Sequence, residues 1–314
     1  MEKYLVTGGA GFIGSNIVER LLKEGHSVRV MDSFITGKRE HIAPFMDDIE
    51  LIEKDIRDPD AVKKAVKGID FVLHQAALRS VPKSVDDPSL TNDINVSGTL
   101  NVFMASREAG VKRVVYASSS SVYGDCDKFP EKEEYCPLPI SPYAVSKLTG
   151  EYYGYTYTRT FGLEVASLRY FNVFGPRQNP ESKYSAVVPI FIFRMLSGEA
   201  PIIEGDGTQT RDFTYVDNVV DANLAAAKAK GAAGEVFNVA CGTTHSVVYI
   251  IEQLNRYMNK HIKPEFAPSR QGDVQKTLAD ISRMKNILKI SPRVNFDDGL
   301  KKTLEWFQSS KVTL

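Results

Sequence analysis

The chain has 314 residues, of which 43% are hydrophobic and 25% are charged, the composition of an ordinary folded protein. Its 39 basic residues balance 39 acidic ones, so we expect neither a nucleic acid nor an anionic membrane as a partner. No apolar stretch long enough for a signal peptide or a membrane span precedes the first strand pattern, and Cys126, Cys136 and Cys241 are too scattered for a disulfide framework or a metal site. These features predict a cytoplasmic protein without a bound metal.

Strand and helix patterns alternate through the first 170 residues. Apolar runs predict strands at residues 3–7, 27–32, 49–54, 69–74, 113–118 and 165–169. Helical spacing of apolar residues separates most of them, and Asp58 followed by Pro59 marks the start of one helix. Such alternation implies right-handed crossovers, so the pattern predicts an α/β fold with a doubly wound parallel sheet.

The alternation breaks after Arg169, where Gly175, Pro176, Pro180 and Pro189 follow closely. The break predicts a second, smaller α/β domain toward the C-terminus. We therefore assign residues 1–170 to a large domain, and residues 171–212 and 241–314 to a small one. An apolar run at 236–240 is expected to return to the main sheet, so that residues 213–240 belong with the large domain.

A glycine-rich turn joins the first predicted strand to the first helix. Gly8, Gly11 and Gly14 follow the spacing G-x-x-G-x-x-G, which lets a pyrophosphate approach the amides of a helix N-terminus. Asp32 ends the next strand, where a carboxylate can accept both ribose hydroxyls of adenosine and would repel a 2′-phosphate. NAD is therefore favoured over NADP. The predicted NAD contacts in this region are Gly8, Gly11, Phe12, Ile13, Gly14, Asp32 and Ser33.

A second motif is the pair Tyr143 and Lys147, whose spacing of four places both on one face of a helix. The pair alone is not specific. It gains weight from the serine run at residues 118–121, which follows a predicted strand and so lies at its carboxyl end, where open parallel sheets bind ligands.

Together, the glycine pattern, the serine run and the Tyr-x-x-x-Lys pair resemble the extended short-chain dehydrogenase/reductase family over essentially the whole chain. Within that family the sequence is most similar to the UDP-glucose and UDP-N-acetylglucosamine 4-epimerases, in the stretches 74–77, 95–99, 120–125, 168–173 and 211–213. The resemblance implies a Rossmann-type large domain that binds NAD and a smaller C-terminal α/β domain that binds a UDP-sugar. It also implies a homodimer formed through two helices, here roughly residues 90–108 and 143–160.

The resemblance also assigns residues to the site. It implies that Asp55 and Ile56 lie beside adenine. The full set of implied cofactor contacts here is Asp55, Ile56, Gln75, Ala76, Ala77, Asn95, Tyr143, Lys147 and Tyr170. It implies substrate contacts from Arg79, Ser119, Ser120, Ser121, Tyr143, Asn172, Val188, Arg211, Arg270, Asp273 and Thr277. Within this second set, the diphosphate would be held by Asn172, Arg211, Arg270 and Asp273.

The implied reaction oxidises the hydroxyl at carbon 4 of the sugar and reduces the resulting ketone from its other face. Tyr143 is the expected base, Ser119 relays the proton, and Lys147 is expected to stabilise the tyrosine phenolate. One positive charge at ~4 Å with an effective dielectric constant of ~20 contributes about 4 kcal/mol, or roughly three pKa units, which would bring Tyr143 close to neutrality.

Several alternatives stay open or are disfavoured on particular residues. Dehydratases and decarboxylases of the family carry an acid beside the active-site serine, whereas this chain has Ser120 and Ser121. A UDP-glucuronate 4-epimerase would share the same catalytic set and stays open, as do another NAD-dependent nucleotide-sugar enzyme and a non-catalytic NAD-binding protein. Thr277 stands where enzymes restricted to glucose and galactose often have tyrosine, so we expect acetylated sugars to be accepted as well.

Overall fold

The computed structural model describes residues 1–180, 186–268 and 275–310. The first 170 residues contain β1 (Lys3–Thr7), α1 (Phe12–Lys23), β2 (Ser27–Asp32), β3 (Ile49–Glu53), α2 (Pro59–Val66), β4 (Phe71–His74), α3 (Val81–Asp86), α4 (Pro88–Asn92), α5 (Thr99–Glu108), β5 (Arg113–Ser119), α6 (Pro142–Phe161) and β6 (Glu164–Tyr170). The rest contains β7 (Val173–Phe174), α7 (Val187–Leu196), β8 (Ile202–Glu204), β9 (Thr210–Arg211), β10 (Thr214–Tyr215), α8 (Val216–Lys228), β11 (Val236–Val239), β12 (His245–Ser246), α9 (Val247–Met258), β13 (Glu265–Ala267) and α10 (Phe296–Ser309).

Within the described residues, seven strands form one parallel sheet in the order β11-β6-β5-β4-β1-β2-β3. The order reverses between β1 and β4, and at such a switch point the loops after the strands separate and open a crevice. The central strands are buried on both faces because helices cover both sides of the sheet, which explains their continuous apolar sequences. The predicted Rossmann-type α/β fold is confirmed.

Local sequence signals fix where the helices begin. The side chain of Asp58 accepts hydrogen bonds from the backbone N–H groups of Asp60 and Ala61, so α2 starts at Pro59 as the sequence predicts. The side chain of Ser141 likewise accepts from the N–H of Ala144 at 3.2 Å, and α6 starts at Pro142. This cap places the residue after Pro142 in the first helical turn, directly beside the carboxyl end of β5.

The chain after residue 170 builds an apolar cluster of its own from α7, α9 and α10. Helix α8 packs against the sheet, and backbone pairing in two further places joins this part to the large domain. Strand β11 pairs in parallel with β6, and Glu131, in the segment between β5 and α6, pairs with residues 278–280. The backbone N–H of Glu131 donates to the carbonyl oxygen of Leu278 at 2.6 Å, and its own carbonyl oxygen accepts from the N–H of Asp280 at 2.8 Å. The division into domains stays a prediction. Over the described ranges, no helix combines the length and apolar character that crossing a bilayer requires.

Candidate active site

A cleft of about 690 Å³ runs along the carboxyl ends of the sheet strands. Its walls come from the loops after β1 to β4 and from the ends of β5 and β6, with the first turns of α6 and the segment after residue 170 closing one end. This volume lies within the range of ~300–1,000 Å³ that is usual for small-molecule sites. The cleft therefore stands where the topology of the sheet predicts a ligand.

The glycine-rich turn forms the floor of the cleft. Gly8 has a φ of +69°, and a Cβ atom there would lie 2.7 Å from the backbone nitrogen of Ala76. A Cβ atom on Gly14 would overlap the carbonyl oxygen of Gly8. Gly11 is the N-cap residue of α1, and it has no side chain that could accept a hydrogen bond from the helix. The amides of the first helical turn therefore face the cleft without a side-chain partner. Such a turn fits a pyrophosphate group.

Asp32 lies at the cleft wall at the end of β2, with Ser33 beside it. Its Oδ2 accepts from the backbone N–H of Ala10 at 2.9 Å, and its Oδ1 accepts from the N–H of Phe34 at 2.8 Å. Burial raises the pKa of this carboxyl group, and the two hydrogen bonds oppose that rise. Because each carboxylate oxygen has a further lone pair, Asp32 can still accept two ribose hydroxyls.

The other predicted cofactor residues fall into two groups. Those that line the cleft are Phe12, Ile13, Asp55, Ile56, Gln75, Ala76, Ala77, Tyr143, Lys147 and Tyr170. Asn95 is buried and does not line it. The Asn95 amide instead accepts from the N–H of Leu78 at 2.7 Å and donates to the carbonyl oxygen of Leu78 at 3.0 Å. Asn95 therefore braces the cleft wall from behind.

Sequence reasoning missed Asn223, a buried residue of α8. Its side chain contacts Gln75 at 3.0 Å and the Tyr170 hydroxyl at 2.9 Å, and the Tyr170 hydroxyl also donates to Gln75 at 3.1 Å. The three side chains thus form a closed hydrogen-bonded set that fixes two cleft residues. No local pattern could have indicated Asn223, because it lies 148 residues from Gln75 along the chain.

Ser119, Tyr143 and Lys147 come together at one end of the cleft. The Ser119 hydroxyl accepts two hydrogen bonds from Ser121, from the backbone N–H at 3.2 Å and from the hydroxyl at 2.9 Å. Its own proton stays available for the neighbouring Tyr143 hydroxyl, whose pKa the Ser119 hydroxyl lowers. Lys147 donates from Nζ to the carbonyl oxygen of Ala117 at 2.7 Å.

Burial dominates the electrostatics of Tyr143 and Lys147. Burial raises the pKa of Tyr143, and hydrogen bonding by Ser119 and the positive charge of Arg79 oppose that rise. The ammonium group of Lys147 is bonded to Ala117 and lies 6.0 Å from the centre of the Tyr143 ring. The expectation that Lys147 stabilises the tyrosine phenolate concerns the state with NAD bound and stays a prediction. Burial also lowers the pKa of Lys147 to about 7, with Glu151 opposing this fall.

The predicted substrate residues are less uniformly placed. Those that line the cleft are Arg79, Ser119, Ser120, Ser121, Tyr143 and Asn172. Thr277 lies behind Asn172, and its hydroxyl accepts from the Asn172 amide at 3.0 Å and from the backbone N–H of Asp212 at 3.1 Å. Val188 is buried in the apolar cluster of α7 and does not line the cleft.

Arg211 sits on β9, opposite His245 of β12, and donates from its guanidinium to the carbonyl oxygen of Thr210 at 3.0 Å. It is not among the residues that line the cleft. Arg270 and Asp273 lie outside the described residues. Arg177 and Gln178, which were not predicted, do line it. They follow the Gly175-Pro176 pair that marks the break in the strand–helix alternation, and that pair is the signal that could have indicated them.

The chain matches one protein family and is similar to several known proteins. Residues 4–240 match the NAD-dependent epimerase/dehydratase family. A UDP-N-acetylglucosamine 4-epimerase from Methanobrevibacter ruminantium, solved with UDP-N-acetylmuramic acid, is 39% identical, with a TM-score of 0.94 and 98% of both chains covered. A UDP-glucose 4-epimerase from Thermotoga maritima, solved with UDP-glucose, is 37% identical, with a TM-score of 0.93 and 98% of both chains covered. A UDP-glucuronate 4-epimerase from Thermodesulfobacterium geofontis is 37% identical, over 98% of this chain and 96% of the relative. These relatives differ in the sugar that their names specify.

Proposed function

The chain belongs to the NAD-dependent epimerase/dehydratase family, and we propose that it inverts the hydroxyl group at carbon 4 of a UDP-hexose. It is an NAD-dependent isomerase of the UDP-sugar 4-epimerase group. The proposed substrates are UDP-glucose and UDP-galactose, together with UDP-GlcNAc and UDP-GalNAc. The observation that carries the proposal is that Ser119 and Tyr143 lie side by side in the same cleft as the glycine-rich turn and Asp32. A cytoplasmic location stays a prediction.

The cleft residues fit NAD. The turn at Gly8 to Gly14 has no room for side chains and presents uncapped helix amides to a pyrophosphate, while Asp32 keeps lone pairs for ribose hydroxyls. Bound NAD supplies the hydride acceptor of the reaction. The set formed by Gln75, Tyr170 and Asn223 fixes the wall between these two positions and the catalytic group.

The proton is handled by the chain's own residues. Tyr143 takes it from the sugar hydroxyl in the phenolate form, which the neighbouring Ser119 hydroxyl favours and which Lys147 is proposed to stabilise once the cofactor is bound. Arg79 adds a positive charge beside the same hydroxyl. The proton returns to the sugar oxygen after the 4-keto sugar has presented its other face, so the net reaction needs no outside oxidant or reductant.

Proton NMR of the purified protein with UDP-glucose, UDP-GlcNAc and UDP-glucuronate in separate incubations tests the proposal. Conversion of the first two sugars to their 4-epimers without added cofactor is the expected result. If none of the three is converted even with NAD supplied, the proposed activity is wrong. A double variant Ser119→Ala/Tyr143→Phe serves as the blank, because it removes both hydroxyls of the catalytic pair.

A second candidate, epimerisation of UDP-glucuronate, is favoured by the charge at the sugar end of the cleft. Arg79 faces Tyr143 there, and Lys83 also lines the cleft, so a sugar carboxylate would find cations nearby. Conversion of UDP-glucuronate alone would support this candidate. Arg79→Gln should then raise the KM for UDP-glucuronate, whereas an equal change for all three sugars would indicate a general role of Arg79.

Thr277→Tyr is predicted to reduce kcat/KM for the acetylated sugars ~10-fold more than for the plain ones, because the ring would push the bonded Asn172, which lines the cleft, toward the sugar at a cost of ~1–3 kcal/mol. Initial rates with both pairs of substrates measure the ratio. Thr277→Val is the matched control, because it removes the hydroxyl that holds Asn172 and Asp212 without adding bulk. The same loss for both pairs in the tyrosine variant would contradict the proposed role in selectivity.

The homodimer is proposed from the outer face of α5 and α6. Met104, Tyr152 and Tyr155 are 45%, 60% and 52% exposed there, which is unusual for large apolar side chains on neighbouring helices. Tyr152→Glu is expected to weaken dimerisation by more than ~100-fold, since burying two unpaired charges, one from each copy, costs several kcal/mol. Light scattering after gel filtration measures the mass, with Lys301→Glu on α10 as a control. A Tyr152→Glu protein that stays dimeric would show that the interface lies elsewhere.

A further inference from the structure

Glu151 is a buried carboxylate on the helix that carries the catalytic tyrosine and lysine. Tyr143, Lys147 and Glu151 follow one another at intervals of four residues on α6, so they share the face that packs against β5 and β6. Only 4% of the surface of Glu151 is exposed. A carboxylate this deep in a protein needs partners that compensate for its lost hydration.

The partners of Glu151 come from two adjacent strands. Arg169 donates to it from Nε at 2.9 Å and from a terminal nitrogen at 2.7 Å, and the hydroxyl of Ser118 donates to it at 2.5 Å. In the register of β5 and β6, Ser118 lies opposite Arg169, while Ser119 lies opposite Tyr170. Ser118 therefore comes directly before Ser119 on β5, and Arg169 comes directly before Tyr170 on β6.

We propose that Glu151, held by Arg169 and Ser118, is a positioning residue that keeps the buried Lys147 side chain protonated and directed at the end of β5. The inference rests on the proposed role of Lys147 in the active site. It concerns the charge of that lysine, which can be measured without turnover.

The surroundings of Lys147 explain why it needs such support. The neighbours of its ammonium group are the carbonyl oxygen of Ala117 at 2.7 Å, the ring of Tyr116 at 5.1 Å and the ring of Tyr143 at 6.0 Å. From β4, His74 also faces it, but burial lowers the pKa of His74 to about 3, so this imidazole is neutral at pH 7. Burial raises the pKa values of Tyr116 and Tyr143, so both phenols are neutral as well.

Glu151 contributes the negative charge among these described neighbours. Burial lowers the pKa of Lys147 to about 7, and the charge of Glu151 opposes that fall. Arg169, which is bonded to Glu151, also places its guanidinium over the ring of Tyr123, 4.6 Å from the ring centre. Removal of the carboxylate should lower the pKa of Lys147 further. As the pH rises, Lys147 would then lose its proton at a lower pH than in the wild type.

Carbon NMR of protein labelled at lysine Cε measures the titration, with the Lys147 signal assigned by its absence in Lys147→Arg. In Glu151→Gln we expect the Lys147 pKa to fall by about one unit or more, the scale of one nearby charge. The alkaline limb of the kcat profile should move to lower pH by the same amount. Glu151→Asp, which keeps the charge, should restore both values toward those of the wild type.

Because Glu151→Gln leaves the buried Arg169 without a counter-charge, it can fail to fold. The double variant Glu151→Leu/Arg169→Met removes both charges, and it should show a smaller fall in the Lys147 pKa, because the loss of the Arg169 charge acts in the opposite direction. Glu164→Gln is the matched control, since it breaks the ion pair with Arg113 at the opposite ends of β5 and β6. Its Lys147 pKa should equal that of the wild type.

An unchanged Lys147 pKa in a folded Glu151 variant, with only a lower melting temperature, would overturn the proposal and leave Glu151 a purely structural role. The wild-type protein gives a test that needs no variant, since the Glu151 Cδ signal should shift in step with the Lys147 titration. Independent titration of the two signals would equally refute the proposal. If the Lys147 pKa falls as expected but no sugar is converted, the proposed function fails while the inference about Glu151 holds.

Discussion

Tyr143→Phe is expected to lower kcat for epimerisation by about 10³-fold, within the range of ~10²–10⁴ that a positioned general base contributes. The substitution removes the hydroxyl beside Ser119 and leaves the ring and the hydrogen bond from the Tyr143 backbone N–H to the Ser84 hydroxyl in place. The fold and the bound cofactor should therefore be retained. Initial rates by NMR measure the loss, and the absorbance of NAD released on denaturation measures the cofactor content.

Tyr152→Phe is the control for this experiment. It makes the same chemical change on the same helix, at a side chain that is 60% exposed on the opposite face. It should turn over at the wild-type rate. A Tyr143→Phe protein that kept more than about a tenth of the wild-type kcat, with NAD bound, would show that another group takes the proton.

Gly14→Ala is expected to weaken NAD binding by about 100-fold, because relieving a backbone overlap lies at the upper end of the ~1–3 kcal/mol that overpacking costs. The added Cβ would overlap the carbonyl oxygen of Gly8 and lie 2.9 Å from the Cα of Gly9. The turn cannot easily move away, since the N–H of Gly8 donates to the carbonyl oxygen of Met31 at 2.8 Å. Fluorescence titration of the cofactor-free protein with NADH measures the affinity.

Gly25→Ala provides the comparison for the glycine turn. Gly25 ends the same helix with a φ of +76°, and nothing lies within 4 Å of the position of an added Cβ. This substitution should cost about 1–2 kcal/mol of stability through backbone strain and leave NAD affinity unchanged. Equal NADH affinities in the two variants would mean that Gly14 does not shape the cofactor site.

Much of the cofactor half of the molecule could be predicted from local sequence. The strands β1 and β2 have the predicted bounds because buried parallel strands give continuous apolar runs, and Gly8 and Asp32 lie at the strand ends where the crevice opens. The fourth strand starts at Phe71, two residues later than predicted. The apolar Ile69 is buried but bonded to the end of α2, which an apolar run cannot distinguish from a strand.

The substrate end could be predicted only in part, because its residues come from segments far apart in sequence. Helical spacing correctly places Lys147 one turn from Tyr143, but spacing does not say which acceptor the ammonium group finds, and it finds Ala117. The buried pair of Glu151 and Arg169 joins a helix to a strand. No pattern of nearby residues indicates such a pair, since either residue alone is typical of a solvated surface.

The pairing of Glu131 with the segment around Ala279 bears on how the protein unfolds. The segment between Ser119 and Tyr143 supplies one side of this pairing, and the C-terminal part supplies the other. With β11 returning to β6 as well, neither part can detach without breaking backbone hydrogen bonds of the other. The two parts should therefore melt together in a single cooperative transition. A substitution that destabilises the C-terminal apolar cluster would then also lower the stability of the cofactor cleft, although no residue of that cleft has changed.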